Sequence, residues 1–162
     1  MLTQSRLKEL LHYDPDTGVF TWSDAAYHRV RGRVAGVRLA HGYIVIGVDK
    51  TQYRAHQLAW LYVHGCFPSS EIDHKDANPS NNAVNNLRLA TRSQQQWNHR
   101  KRRNCTSFYK GVWFDKDRKK WRSAIEAEGR RKDLGRFASP ALAHLAYCRA
   151  AKKYHKEFAN FG

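Results

Sequence analysis

Between Leu2 and His12 the apolar positions Leu7, Leu10 and Leu11 fall at helical spacing, and Thr3 or Ser5 can cap the start. Asp14-Pro15-Asp16-Thr17-Gly18 is a turn signal, and Val19, Phe20 and Trp22 follow as a short strand. Residues 25–40 are broken by Gly32 and Gly36 and predict a loop with a ribbon. Tyr43 to Val48 and Gln52 to Ala55 read as strands on either side of Asp49-Lys50, which is a hairpin. His56 to His64 switches to helical spacing through Leu58, Ala59, Leu61 and Tyr62. Gly65 stops that helix, and Pro68 steers the chain into Glu71. Residues 71–98 then read strand, long asparagine-rich turn, strand (Asn86 to Thr91), helix.

From Phe108 the pattern changes. Tyr109 to Asp115, Trp121 to Ala127 and Arg131 to Phe137 predict three strands. Ser139 caps and Pro140 opens a helix over Ala141 to Phe158, with Leu142, Leu145, Ala146, Arg149, Ala150 and Lys153 bracketing its packing face. The class is α+β. An N-terminal domain spans 1–103, with a strand–strand–helix core at about 71–99 plus an extra helix and a hairpin. A short linker, 104–107, leads to a C-terminal three-stranded antiparallel sheet packed on one helix, 108–162.

Charge narrows the partners. The 162 residues carry 29 Lys and Arg against 14 Asp and Glu, a net charge of +15 with histidines neutral. Such an excess suits a polyanion. An anionic membrane is disfavoured by the absence of any long apolar run. Cys66, Cys105 and Cys148 match neither a zinc spacing nor a disulfide framework. Met1 to Leu11 has no signal-peptide pattern, so an intracellular setting, the cytoplasm or nucleoid of a bacterial host, is expected.

The chemistry concentrates at Asp73-His74. Phosphodiester hydrolysis needs a nucleophile in line with the leaving oxygen and positive charge at the phosphoryl oxygens. Asp73 offers a hard oxygen to a magnesium-like ion, and His74 can take a proton from water near neutral pH. Neighbours on a strand point to opposite faces, so serving one site requires a bend or a strand end. The turn signals from Asp76 to Asn82 fit that requirement.

The strings Ile72-Asp73-His74, Asn81-Asn82, Asn86-Leu87-Arg88 and Thr91-Arg92-Ser93 resemble the phage-type HNH endonucleases, whose members include homing and nicking enzymes and whose core is a ββα-metal fold. The resemblance extends to Tyr13–Trp22, with an expected structural role, and to His56-Gln57-Leu58-Ala59-Trp60, where His56 is expected to pack beneath the site. It implies Asp73 as metal ligand, His74 as general base, and Asn86 as the asparagine that ties the loop and orients the histidine. One divalent ion is implied, Mg2+ first and Mn2+ as a substitute. The family's last ligand, usually Asn or His, falls at Gln95, with Asn98 and then His99 as substitutes.

Tyr109-Lys110-Gly111-Val112, Lys120-Trp121, Leu134-Gly135-Arg136-Phe137 and the alanine-rich Ala141 to Ala151 resemble the AP2 domain. That implies a sheet docked in the DNA major groove, with Lys110, Trp113 and Arg131 at base- or phosphate-contacting positions. Strand facing adds Arg122, and Lys119 and Lys120 belong to the turn that meets phosphate. The basic run Arg100, Lys101, Arg102 and Arg103 is a further backbone contact. Arg29, Arg31, Arg33 and Arg38 suit phosphate contact or a solvated surface equally.

The expected activity is hydrolysis of duplex DNA, site-specific and one strand per active site, with no small-molecule cofactor and with monomer and homodimer both open. A DNA-binding protein or repressor with a weak or inactive site is the alternative, and Gln95 is the residue that favours it.

Overall fold

A computed structural model describes residues 1–99, 101 and 107–162. It is a mixed α/β chain of small antiparallel sheets and, among the described residues, four α-helices. It forms two compact units, 1–91 and 92–162. The sequence reading set the division near Arg103; Arg102, Arg103 and residues 104–106 of the linker lie outside the described residues. No helix among the described residues is long and apolar enough to cross a membrane.

In the first unit α1 (Gln4–Leu10) starts on Thr3, whose Oγ1 accepts from Arg6 N–H at 3.2 Å. The helix is shorter than its sequence pattern. Leu11–Tyr13 leaves it as β1 and pairs with β2 (Phe20–Trp22) across the Asp14–Gly18 turn. Strand pairing wins here because both Leu11 and Tyr13 become buried in β1. A second sheet runs β3-β4-β5 (Val37–Arg38, Ile44–Val48, Thr51–Arg54). Its β4–β5 turn places Asp49 and Lys50 at positive φ, 47° and 66°, as a two-residue hairpin of matching twist demands. α2 (Ala55–His64) ends on Gly65 at φ 78°. Leu7, Leu10, Leu11, Phe20, Ile46, Leu58 and Leu61 join Ile72 and Leu87 in one core. That core anchors the two-stranded sheet of β6 (Glu71–His74) and β7 (Leu87–Ala90).

The second unit opens with α3 (Arg92–Asn98). Three antiparallel strands follow in the order β10-β9-β8: Arg130–Phe137, Lys120–Ala127 and Val112–Asp115. α4 (Pro140–Tyr154) covers one side, starting from Ser139, whose Oγ accepts from Leu142 N–H at 3.3 Å. Two details of the sequence reading are corrected. The buried face of α4 is Ala143, Tyr147, Ala150 and Ala151, while Leu142 and Leu145 are exposed. Small residues let the helix lie close to the sheet, and the stripe turns accordingly. The helix also stops at Tyr154 rather than Phe158. His155 caps it and bonds through Nε2 to the Glu126 carbonyl at 2.7 Å, and a 3-10 turn, Lys156–Phe158, follows.

Candidate active site

Asp73 and His74 end β6, and His74 is its last residue. Both are buried, at 8% and 5% exposure. The register sets Asp73 opposite Arg88 on β7, so the two side chains meet across the strands. Arg88 donates from Nε at 2.9 Å and from a terminal nitrogen at 2.7 Å, both to Oδ2 of Asp73. A buried carboxylate needs a compensating charge, and this guanidinium supplies it. Arg88 was not singled out from sequence; facing positions on two strands become visible only once the register is known.

The segment from Lys75 to Asn86 is held by its own polar side chains. Asp76 Oδ1 accepts from Asn78 N–H at 2.8 Å and from Asn86 Nδ2 at 3.0 Å. Its Oδ2 accepts from Asn81 Nδ2 at 2.8 Å. Asn86 returns Oδ1 to Asp76 N–H at 3.1 Å and donates to the Asn81 carbonyl at 2.8 Å. Burial opposes ionisation of Asp76, but the bonds from Asn81, Asn78 and Asn86 outweigh it and hold the carboxyl below its usual range.

The side chain that meets His74 is Asn82. His74 Nε2 lies 3.2 Å from Asn82 Oδ1. The amide orientation follows from its other end, because Asn82 Nδ2 donates to the Ser80 carbonyl at 3.3 Å. Oδ1 must then accept, so Nε2 carries the proton and the lone pair of the neutral ring sits on Nδ1. Burial lowers the His74 pKa, with Asn82, Asp76 and Asp73 pulling the other way. The net direction is down, so the ring is neutral at pH 7. Behind it His56 packs edge-on at 5.2 Å between ring centroids, and Tyr43 touches both rings, at 5.4 Å to His56 and 6.1 Å to His74. Burial, reinforced by His74 and Arg54, pushes His56 down to about 3. Asn82 stood in the sequence as half of an Asn pair, and nothing in its spacing set it apart from its neighbours.

The other candidates are placed as follows. Gln95 is half-buried on α3 in the second unit. Asn98, 4% exposed, accepts from Asn160 Nδ2 at its backbone carbonyl at 2.7 Å and at Oδ1 at 3.4 Å. Among the described residues no group of three His, Cys, Asp or Glu gathers as a closed cage. One carboxylate oxygen is still the donor chemistry of a magnesium-like ion, which takes one or two carboxylates and fills its shell with water and substrate phosphate.

On the face of the C-terminal sheet away from α4, Trp113 lies under two guanidiniums, Arg131 at 4.5 Å and Arg122 at 5.6 Å from its ring centre. Arg122 is also bound to Asp133 at 2.7 Å, and Arg136 to Asp115 at 3.1 Å. Lys101 lines a hollow of about 570 Å³ with Tyr109, Trp113 and Arg131. Lys119, at φ 51°, and Lys120 are exposed at the β8–β9 turn. Lys110 is occupied elsewhere. Its Nζ donates to the carbonyls of Trp97 at 2.8 Å and His99 at 2.7 Å, and burial lowers it to about 8. Arg100, Arg102 and Arg103 lie outside the described residues.

Residues 53–97, from β5 through α3, match the HNH endonuclease family model. The chain carries an HNH endonuclease domain over those residues, which points to a nuclease. It is 35% identical over 111 residues to Protein 3.8 of Escherichia phage T7, an alignment covering 67% of this chain and 89% of that protein. No solved structure matches the chain.

Proposed function

We propose that the chain is a metal-dependent endonuclease that hydrolyses phosphodiester bonds in duplex DNA, one strand per active site, at positions chosen by its C-terminal sheet. The observation that carries this reading is the buried His74 imidazole, its Nε2 3.2 Å from Asn82 Oδ1, next in sequence to a buried carboxylate bound by Arg88. His74 Nδ1 takes the proton from the attacking water, the act of a general base whose pKa lies below the working pH. Asp73 is the metal ligand, and Arg88 fixes the direction of its carboxylate. A divalent ion, Mg2+ or Mn2+, would neutralise the phosphoryl oxygens and the leaving 3′ oxygen. Asn86 holds the turn that carries Asn82.

The C-terminal unit is read as the targeting module. Its three strands and single covering helix resemble the AP2 arrangement, Trp113 between Arg122 and Arg131 stands where that resemblance expects an arginine, and a sheet face of this size enters the major groove. Asp115 and Asp133 hold Arg136 and Arg122 in place, which positions the guanidiniums for bases at some expense to phosphate attraction. A DNA-binding protein with a weak nuclease site is the second reading. Gln95, standing where the HNH resemblance places Asn or His, is the feature in its favour.

Sequencing the ends produced on phage and host genomic DNA tests the proposal. Recurrent single-strand ends bearing 3′-hydroxyls, dependent on magnesium, are expected. Ends no more frequent than in a protein-free control would leave only the binding reading.

A further inference from the structure

We infer that Tyr13 and the Asp14–Gly18 turn are a positioning device for His74: they fix Asn82, and Asn82 fixes the imidazole. The inference rests on the nuclease reading of His74 and deepens it.

Three contacts from one hairpin converge on the backbone of residues 82–84. Tyr13 Oη donates to the Asn82 carbonyl at 2.7 Å. The Pro15 carbonyl accepts from Val84 N–H at 3.0 Å. Gly18, at φ 72°, lies so close that a Cβ there would overlap the backbone of Asn82 and Ala83. Asn82 itself is 1% exposed, and its amide spans Ser80 on one side and His74 on the other.

The hairpin is closed by hydrogen bonds of its own. Asp14 Oδ1 accepts from Asp16 N–H at 3.0 Å, Oδ2 accepts from Thr17 Oγ1 at 2.7 Å, and the Asp14 carbonyl accepts from Gly18 N–H at 2.8 Å. Tyr13 is wedged against Phe20 at 4.6 Å and Tyr62 at 5.4 Å. Packing alone would be served by phenylalanine. The buried hydroxyl has a second use: it donates to the carbonyl of the residue that holds the histidine. The tyrosine and glycine of this turn are thereby connected to a reacting group far along the chain. A misaligned base loses rate steeply, so the connection bears on turnover and not on substrate binding.

Single-turnover nicking of a supercoiled plasmid with magnesium, with duplex affinity measured in parallel, tests this. Asn82→Leu removes the acceptor and is expected to lower the rate by about 100-fold with affinity unchanged. Asn82→Asp keeps an acceptor oxygen and is expected to stay within about tenfold of the parent. Tyr13→Phe is expected to cost about fivefold in the parent and nothing further in an Asn82→Leu background, because the two act in series. Parent-like cutting by Asn82→Leu overturns the inference. So do equal losses in Asn82→Leu and Asn82→Asp, or a Tyr13→Phe effect of the same size in both backgrounds. Should Asn82→Leu fail to fold, Tyr13→Phe decides alone, and an unchanged rate overturns the inference. His74→Ala separates the two levels. Parent-like cutting by that variant defeats the nuclease reading itself, whereas a dead His74→Ala beside a fully active Asn82→Leu defeats only the positioning role.

Discussion

His74→Ala is expected to cut duplex DNA about 1,000-fold more slowly than the parent while binding it within about twofold. The size follows from what the ring does. A general base aligned with water is worth two to four orders of magnitude, and the alanine variant retains only charge neutralisation and binding. Burial keeps His74 neutral at pH 7, and the bond to Asn82 fixes which nitrogen is basic. His56 behind it is a poor substitute, since it is pushed down to about 3 and sits 4% exposed. Rapid-quench nicking with a gel-shift control measures both quantities. A cutting rate within threefold of the parent rules out His74 as the base.

The second large effect is on stability. Between pH 7 and pH 4 the parent is expected to lose about 3 kcal/mol more than His56→Gln. The folded-state pKa of His56 is about 3, below the ordinary 6.5 of an unfolded chain. In that window the unfolded chain binds a proton that the folded chain refuses. His56 therefore contributes stability that is full above about pH 6.5 and is lost as pH falls toward 3. His74 is shifted in the same direction and adds to the same slope. Asp14, Asp49 and Asp76, held low by their hydrogen bonds, also lose their contributions on acidification, but they are common to both proteins and cancel in the difference. Urea unfolding at the two pH values gives the numbers. Parallel acid losses in the two proteins would mean that His56 is protonated or solvated in the native state.

Much of the fold was legible because local signals agreed with the packing. Gly65 ends α2, Ser139-Pro140 starts α4, and the Asp49-Lys50 turn closes its hairpin, each by backbone preferences that hold whatever the neighbours do. Leu11 and His12 were misread as helical because short apolar runs suit both periods, and the pairing with β2 that decides the matter is not local. The face of α4 was misread because leucine outranks alanine in hydrophobicity, whereas the close sheet admits alanine and Tyr147 and leaves Leu142 and Leu145 outside. At the proposed site, the sequence singled out Asp73 and His74 as candidates by residue type. Arg88 depends on strand register, and Asn82 on where a long turn closes, so neither could be told from its neighbours by residue type. Lys110 illustrates the converse. Its charge suggested a ligand on the open sheet face, but its ammonium is spent on the Trp97 and His99 carbonyls.

Incubating the parent protein with supercoiled plasmid, with magnesium and with a chelator, tests the proposed roles of Asp73 and His74 most directly. Open circles that accumulate with magnesium and stay at background with chelator are expected. Plasmid that stays fully supercoiled in magnesium and in manganese, although the protein binds it, would contradict the assignment and leave a protein that binds DNA without cutting it.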